Sequence, residues 1–210
     1  WNIREYERVA QFKRNIGHTN SLIENGQVPA VIGAVSRSPG LWQARFDEVV
    51  RLWHARAAVS FDNELPVNQG LGMLLAWQRL KPHLQSGENA VLVMALGPGT
   101  RAAPFTDTNS GQKPAIETYV AALQPDGQVR LLTMAELAAK YIIPVEQFLK
   151  RSGFHGVVFK WGDEFQIPTK DLSGSDSLFE QADIVRFVVD EEVTPYSAKN
   201  KDWIFIDAQG

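Results

Sequence analysis

The chain has 210 residues, of which 44% are hydrophobic and 21% are charged, and this is the composition of a globular protein with room for one large domain. The formal net charge is −3 and the lysines and arginines are scattered, so no general basic field attracts nucleic acid. The absence of cysteine excludes disulfides, thiolate metal ligands and a cysteine nucleophile.

No apolar run approaches the roughly 20 residues that cross a bilayer, and no signal peptide is visible. Together with the lack of cysteine, this predicts a cytoplasmic protein without a membrane partner. The sequence begins at Trp1 and stops at Gly210 after a predicted turn, so we allow for a truncated C-terminal end.

Residues 1–87 are predicted to form a mostly helical N-terminal region. Apolar residues recur with a spacing of about 3.6 residues from Ile3 onwards, which indicates a first helix. A clearer amphipathic helix is predicted from Leu41 to Ala57, and a third from Gln69 to Leu84.

Residues 88–210 are predicted to form an α/β domain. The apolar runs 91–96 and 157–160 are typical of strands buried on both faces, and residues 184–189 and 203–207 alternate as strands do. Strands that alternate with helices predict an α/β sandwich. The elements predicted in between are a helix over 113–123, a strand over 127–132, a helix over 134–141 that begins at a capping box of Thr133 and Glu136, and a helix that Pro144 opens and Gly153 ends.

A glycine-bounded loop, Gly97-Pro98-Gly99-Thr100-Arg101, follows the first predicted strand of this domain, and Lys113-Pro114 comes soon after. Small residues let backbone N–H groups approach an anion, and a nearby arginine or lysine offsets its charge. The loop matches neither the P-loop nor the GxGxxG pattern. It is therefore either a phosphate-binding loop or a strand-to-helix turn that needs glycine.

A second candidate site follows the strand predicted over 157–160, where the chain reads Trp161-Gly162-Asp163-Glu164. A carboxylate at a strand end suits Mg²⁺, which prefers hard oxygen ligands together with phosphates. Asp163 is the first candidate for a magnesium ligand and Glu164 the second, and the alternative is an exposed acidic turn. There are two weaker candidates. One is a lysine near residue 200, Lys199 or Lys201, which would contact a phosphate. The other is Trp161, whose ring would stack on a base or sugar.

The segment GPGTRAAPFT, followed by KPAI, resembles the signature loop of the sugar-1-phosphate nucleotidyltransferases, also called sugar-nucleotide pyrophosphorylases. Their pattern reads roughly G-x-G-T-R, a proline, a threonine, and then a lysine before proline. The helical N-terminal part resembles the larger UDP-sugar pyrophosphorylases. The chain departs from the pattern at Leu96, where the family usually has glycine, and in a longer spacing between Thr106 and Lys113. The residues that match in order are Gly97, Gly99, Thr100, Arg101, Pro104, Thr106, Lys113 and Pro114.

The resemblance implies the nucleotide-diphospho-sugar transferase fold, a GT-A or Rossmann-like three-layer sandwich, here with a helical N-terminal region. It implies a nucleotidyltransferase that joins a nucleoside triphosphate, with UTP as the suggested one, to a sugar 1-phosphate and releases pyrophosphate. Asp163 would hold Mg²⁺ on the phosphates. Arg101 and Lys113 would be the catalytic residues, and the nucleotide would be bound by Gly97, Gly99, Thr100 and Arg101.

Three alternatives remain open from the sequence. The departure at Leu96 favours a nucleotide-binding module that kept the fold without turnover. A glycosyltransferase of related fold would use a nucleotide sugar, but that class normally holds its metal with an Asp-x-Asp pair, for which Asp163-Glu164 is a poor substitute. A structural protein that binds partners through the helical N-terminal region would show no response to nucleotides.

Overall fold

The computed structural model describes residues 3–62, 69–96, 103–104, 106, 111–123, 126–164, 167–168, 171–180, 182 and 185. Several predicted features lie outside these residues. They are the strand predicted over 203–207, most of the strand predicted over 184–189, and the two candidate lysines, Lys199 and Lys201. The elements in chain order are α1 (Ile3–Glu24), β1 (Val31–Ser36), α2 (Pro39–Trp53), β2 (Ala57–Asp62), α3 (Gln69–Leu80), β3 (Ala90–Ala95), β4 (Glu117–Leu123), β5 (Val129–Thr133), α4 (Met134–Arg151) and β6 (Val157–Trp161).

Four of these strands form a parallel sheet in the order β2-β1-β3-β6, and β4 pairs with β5 as an antiparallel hairpin. The three predicted helices of residues 1–87 are present, but the two strands β1 and β2 lie between them and were not predicted. Both pair into the same sheet as β3 and β6. The boundary predicted at residue 87 therefore does not separate a helical region from the sheet.

Helices cover both faces of the sheet. One face packs against α1, α2 and α4, and the other packs against α3. The central strands β1 and β3 are buried along their whole length, as the continuous apolar run of 91–96 predicts for β3. This α/β arrangement with a parallel sheet is consistent with a Rossmann-like fold.

The residues of helix α2 explain its buried face and the positions at which it begins and ends. Its apolar stripe, Trp42, Phe46, Val49 and Trp53, is buried against the sheet, as the predicted periodicity requires. Pro39 stands in the first turn, where a missing N–H costs nothing. The helix ends before the predicted Ala57 because His54 adopts a left-handed conformation, with φ of 60°.

Two predictions between β3 and β6 are wrong. Residues 117–123 form β4 rather than a helix, because alternate side chains, among them Val120 and Ala122, pack inwards while the others face solvent. Pro144 does not divide two helices but lies buried within the single helix α4. Residues on both sides of Pro144 pack on the same sheet face, which favours a continuous helix. The strand near 127–132, the strand near 157–160 and the capping box of Thr133 and Glu136 are confirmed.

Among the helices that the structure describes, none has the length and apolar character needed to cross a membrane.

A carboxyl group inside α4 makes the stability of the fold depend on pH. Glu146 is fully buried, and this burial raises its pKa above the ordinary value of 4.5, although Asn89 and Gln147 act in the opposite direction. A raised pKa means that the folded state holds the proton more tightly than the unfolded state. The contribution of this group to stability is therefore present below pH 4.5 and is lost as the pH rises through the pKa of the folded state.

We expect Glu146→Gln to unfold at a higher urea concentration than the wild type near pH 7, because the neutral amide removes the cost of burying a charge. The gain should shrink toward pH 4, where the wild-type carboxyl is protonated. Urea unfolding curves at several pH values would measure the difference. An equal gain at every pH would attribute the effect to packing and contradict the explanation based on the proton.

Candidate functional site

The carboxyl ends of the four parallel strands meet at one edge of the sheet. The chain runs from β1 to β2 on one side and then crosses to β3 on the other side of β1, so the strand order reverses between β1 and β3. Ligands of open α/β sheets bind at such a reversal, beyond the carboxyl ends of the strands. The predicted loop 97–101 and the predicted metal residue Asp163 follow β3 and β6, which are neighbours in the sheet.

Lys113 and Asp163 come together at this edge although they lie 50 residues apart in the chain. Lys113 Nζ donates a hydrogen bond of 2.8 Å to Oδ2 of Asp163. The two side chains are 44% and 35% exposed, so a ligand in solvent can reach both of them. The sequence pattern predicts a different role for each residue, and the structure joins them as an ion pair.

The backbone on which Lys113 stands is anchored on both sides. Gln112 donates a hydrogen bond from Nε2 to Ser38 Oγ, and its Oε1 accepts one from Nε1 of the buried Trp42. Pro114 is buried in the short 3-10 turn Lys113–Ala115. The loop after β1 and the start of α2 therefore hold the segment that carries Lys113.

Asp163 is placed by the close packing of Gly162. The Gly162 N–H donates a 3.1 Å hydrogen bond to the carbonyl of Met94, which ties the end of β6 to the end of β3. A Cβ on Gly162 would lie 2.8 Å from Val93 Cγ1, 3.0 Å from Met94 O and 3.3 Å from Pro114 Cβ. Glycine is therefore needed to bring Asp163 within reach of the segment that carries Lys113.

A second lysine, Lys160, precedes Asp163 by three residues and is not among the site residues predicted from the sequence. It is a β6 residue with only 7% of its side chain exposed, and its Nζ lies 3.8 Å from Oε2 of Glu164. Burial lowers the pKa of Lys160, while Glu164 and Asp163 act in the opposite direction. A lysine inside the apolar run Val157–Trp161 is the signal that could have drawn attention to it.

Among the other predicted site residues, the second metal candidate, Glu164, follows Asp163 directly and pairs with Lys160. Gly97, Gly99, Thr100 and Arg101 lie outside the described residues. Leu96 is half-buried and packs with the core on the α3 side of the sheet, where Trp161 also packs. Trp161 therefore belongs partly to the core rather than standing free to stack on a ligand.

The donor set at this edge fits a divalent cation only together with a ligand. Within the described ranges, no group of three or more histidine, cysteine, aspartate or glutamate side chains could hold a metal ion. Asp163 offers a partly exposed carboxylate, and only its Oδ2 takes part in the hydrogen bond to Lys113. Mg²⁺ commonly uses one or two carboxylates and completes its shell with phosphate oxygens and water.

Comparison of the chain with protein-family models, with curated proteins and with solved structures finds no match in any of the three.

Proposed function

We propose that this protein is a nucleotidyltransferase of the sugar-1-phosphate type, with the GT-A variant of the α/β fold. The observation that carries the proposal is the contact of Lys113 with Asp163 at the carboxyl edge of the sheet. The resemblance to the sugar-1-phosphate nucleotidyltransferases implies that these two residues serve one phosphate site. Their meeting beside the strand that leads into Gly97–Arg101 supports a common site.

In the proposed reaction an oxygen of the sugar 1-phosphate attacks the α-phosphorus of a nucleoside triphosphate, for which UTP is the first candidate. A new P–O bond forms, the bond between the α-phosphorus and its bridging oxygen to the β-phosphorus breaks, and pyrophosphate leaves. The protein forms no covalent bond to the substrate. Its contribution is to align the two phosphates and to offset their charge.

Each residue has a role of its own in this proposal. Arg101 and the backbone N–H groups of Gly97, Gly99 and Thr100 would bind the β- and γ-phosphates. Lys113 would offset the charge that develops at the α-phosphate. Mg²⁺, held by Asp163, would neutralise further phosphate charge.

The direct test is the release of pyrophosphate from UTP by the purified protein with Mg²⁺ and a panel of sugar 1-phosphates. We expect Arg101→Ala and Lys113→Met each to lower the rate by about 10²–10³-fold, the usual cost of removing one group that stabilises the transition-state charge. Wild-type activity in Lys113→Met would contradict the proposed role of Lys113, and wild-type activity in Arg101→Ala would contradict that of the loop.

The matched control is Arg56→Met. Arg56 forms an ion pair of 2.6 Å with Glu88, but this pair precedes β2 and β3 and therefore lies at the opposite edge of the sheet. Its loss should leave pyrophosphate release at the wild-type rate. A loss of activity in Arg56→Met equal to that in Lys113→Met would indicate a general loss of structure.

The same observations support a second candidate, a nucleotide-binding module without turnover. Lys113 and Asp163 neutralise each other in the absence of a ligand, and Leu96 replaces the glycine of the resembling family. This candidate is favoured if UTP with Mg²⁺ raises the thermal unfolding temperature but no pyrophosphate appears. Transfer of a sugar from a UDP-sugar to an acceptor would indicate a glycosyltransferase instead.

A further inference from the structure

We infer that the Lys113–Asp163 ion pair couples the binding of a divalent cation to the binding of a phosphate group, so that the site takes the two as a pair. The inference rests on the proposed function, since it concerns the same two residues. It goes further because it assigns a role to their contact: the charge of each residue opposes the binding of the other's ligand.

The competition arises from the geometry of the pair. The ammonium of Lys113 lies 2.8 Å from Oδ2 of Asp163, so this oxygen is already in contact with a positive charge. A cation on either oxygen of this carboxylate lies beside the ammonium, so charge repulsion favours displacement of the ammonium, which is then free for a phosphate. A phosphate that binds Lys113 frees the carboxylate for a cation in the same way. Each ligand therefore removes the competitor of the other, and the coupling must be equal in both directions.

The exchange needs no change of the fold. Gln112 and Pro114 hold the backbone of Lys113, and the hydrogen bond from Gly162 to Met94 holds that of Asp163. The two side chains are both more than one-third exposed. Rotation of these side chains is therefore enough to open the pair, and an exposed ion pair costs little to break.

The surrounding charges point to the same class of ligand. Lys113 and Lys160 balance Asp163 and Glu164, so this cluster of four has no net charge with which to hold a lone cation or a lone anion. The described residues also lack the three protein ligands that would hold a metal without help. A phosphate with its divalent cation supplies both charges and the missing oxygen ligands.

The test measures each ligand by itself, with Mn²⁺ and inorganic pyrophosphate as the probes. Electron paramagnetic resonance of free Mn²⁺ gives the affinity of the cation, and calorimetry gives that of pyrophosphate. We expect Lys113→Met to bind Mn²⁺ alone about fivefold more tightly than the wild type, because its carboxylate has lost the competing ammonium. Asp163→Asn should bind pyrophosphate alone more tightly by a similar factor.

Two controls accompany these variants: the first tests whether any cation opposite Asp163 is enough, and the second separates the effect of the pair from a mere change of net charge. Lys113→Arg keeps a cation opposite Asp163, so its affinity for Mn²⁺ should equal that of the wild type. Glu164→Gln removes one negative charge beside Asp163 but leaves the pair with Lys113 in place, so its gain in pyrophosphate affinity should be clearly smaller than that of Asp163→Asn. Equal gains in Glu164→Gln and Asp163→Asn would overturn the inference.

The failure of this coupling can be distinguished from the failure of the proposed function. Tighter binding of the single ligands in the two variants, with no pyrophosphate release from UTP, would support the coupling and contradict the nucleotidyltransferase. Pyrophosphate release with unchanged single-ligand affinities in both variants would support the nucleotidyltransferase and contradict the coupling. A wild type that binds neither probe, alone or with the other, would overturn the coupling.

Discussion

Under the proposed function, replacing Gly162 with alanine is expected to lower pyrophosphate release by about 10²-fold or more, because a displacement of about 1 Å at a catalytic centre costs that much. The added methyl group would lie 3.0 Å from the backbone oxygen of Met94 and 2.8 Å from Val93 Cγ1. A strand oxygen in the sheet cannot turn aside as a long side chain can. The turn after β6 must therefore move, and Asp163 moves with it.

The site effect of Gly162→Ala can be separated from a loss of stability. Pyrophosphate release from UTP and the urea unfolding curve of the variant are measured under the same conditions. The matched control is Gly156→Ala at the other end of β6, where a Cβ would meet only the Phe154 ring at 3.5 Å, an ordinary van der Waals distance. This control should keep its activity. Full activity in Gly162→Ala would show that the close packing does not position Asp163.

The sequence predicted β3 and β6 of the parallel sheet but neither β1 nor β2. A short apolar run such as Val31–Ser36 has no period by which a buried strand can be told from part of a helix. Its neighbour β2 is half-buried along most of its length and carries an equally weak signal. Both strands become recognisable only through their pairing with β3 and with each other, which is a long-range property.

The error at β4 has a similar origin. Lys113 and Pro114 are typical of a helix start, and they do open a 3-10 turn, but the turn ends after Ala115. The conformation of the next residues is governed by pairing with β5 and by packing on α4, since Val120 and Ala122 contribute to the same cluster as Leu137. Such tertiary contacts override local propensity.

The candidate site could be predicted only as separate residues. Lys113 was selected as a cation near the glycine-bounded loop, and Asp163 as a carboxylate after a predicted strand, each by itself. Neither prediction required the other residue. Neither could reveal the contact of the two residues, because the order of β3 and β6 in the sheet cannot be read from either segment. Lys160 was missed for another reason: a lysine inside the apolar run 157–160 signals a buried charge but does not show that this charge lies near Glu164.

Replacing Gly33 with alanine is expected to destabilise the protein by about 3 kcal/mol or more, at the upper end of what overpacking costs. Gly33 lies on β1 directly opposite Val59 of β2. A Cβ at this position would lie 1.9 Å from the backbone oxygen of Val59 and 2.7 Å from its Cγ2. No rotation of a side chain relieves the first contact, so β1 and β2 would have to separate.

The measurement for Gly33→Ala is urea unfolding, read as the midpoint and the slope of the transition. The matched control is Gly17→Ala, since Gly17 lies within α1 and its Cβ would meet nothing within 4 Å. Alanine is the better helix former, so the control should be unchanged or more stable by up to about 1 kcal/mol. The two substitutions add the same methyl group to the chain, so the loss of stability at Gly33 would come from the close approach of β2. A Gly33→Ala protein with the wild-type midpoint would show that the two strands are not so tightly joined.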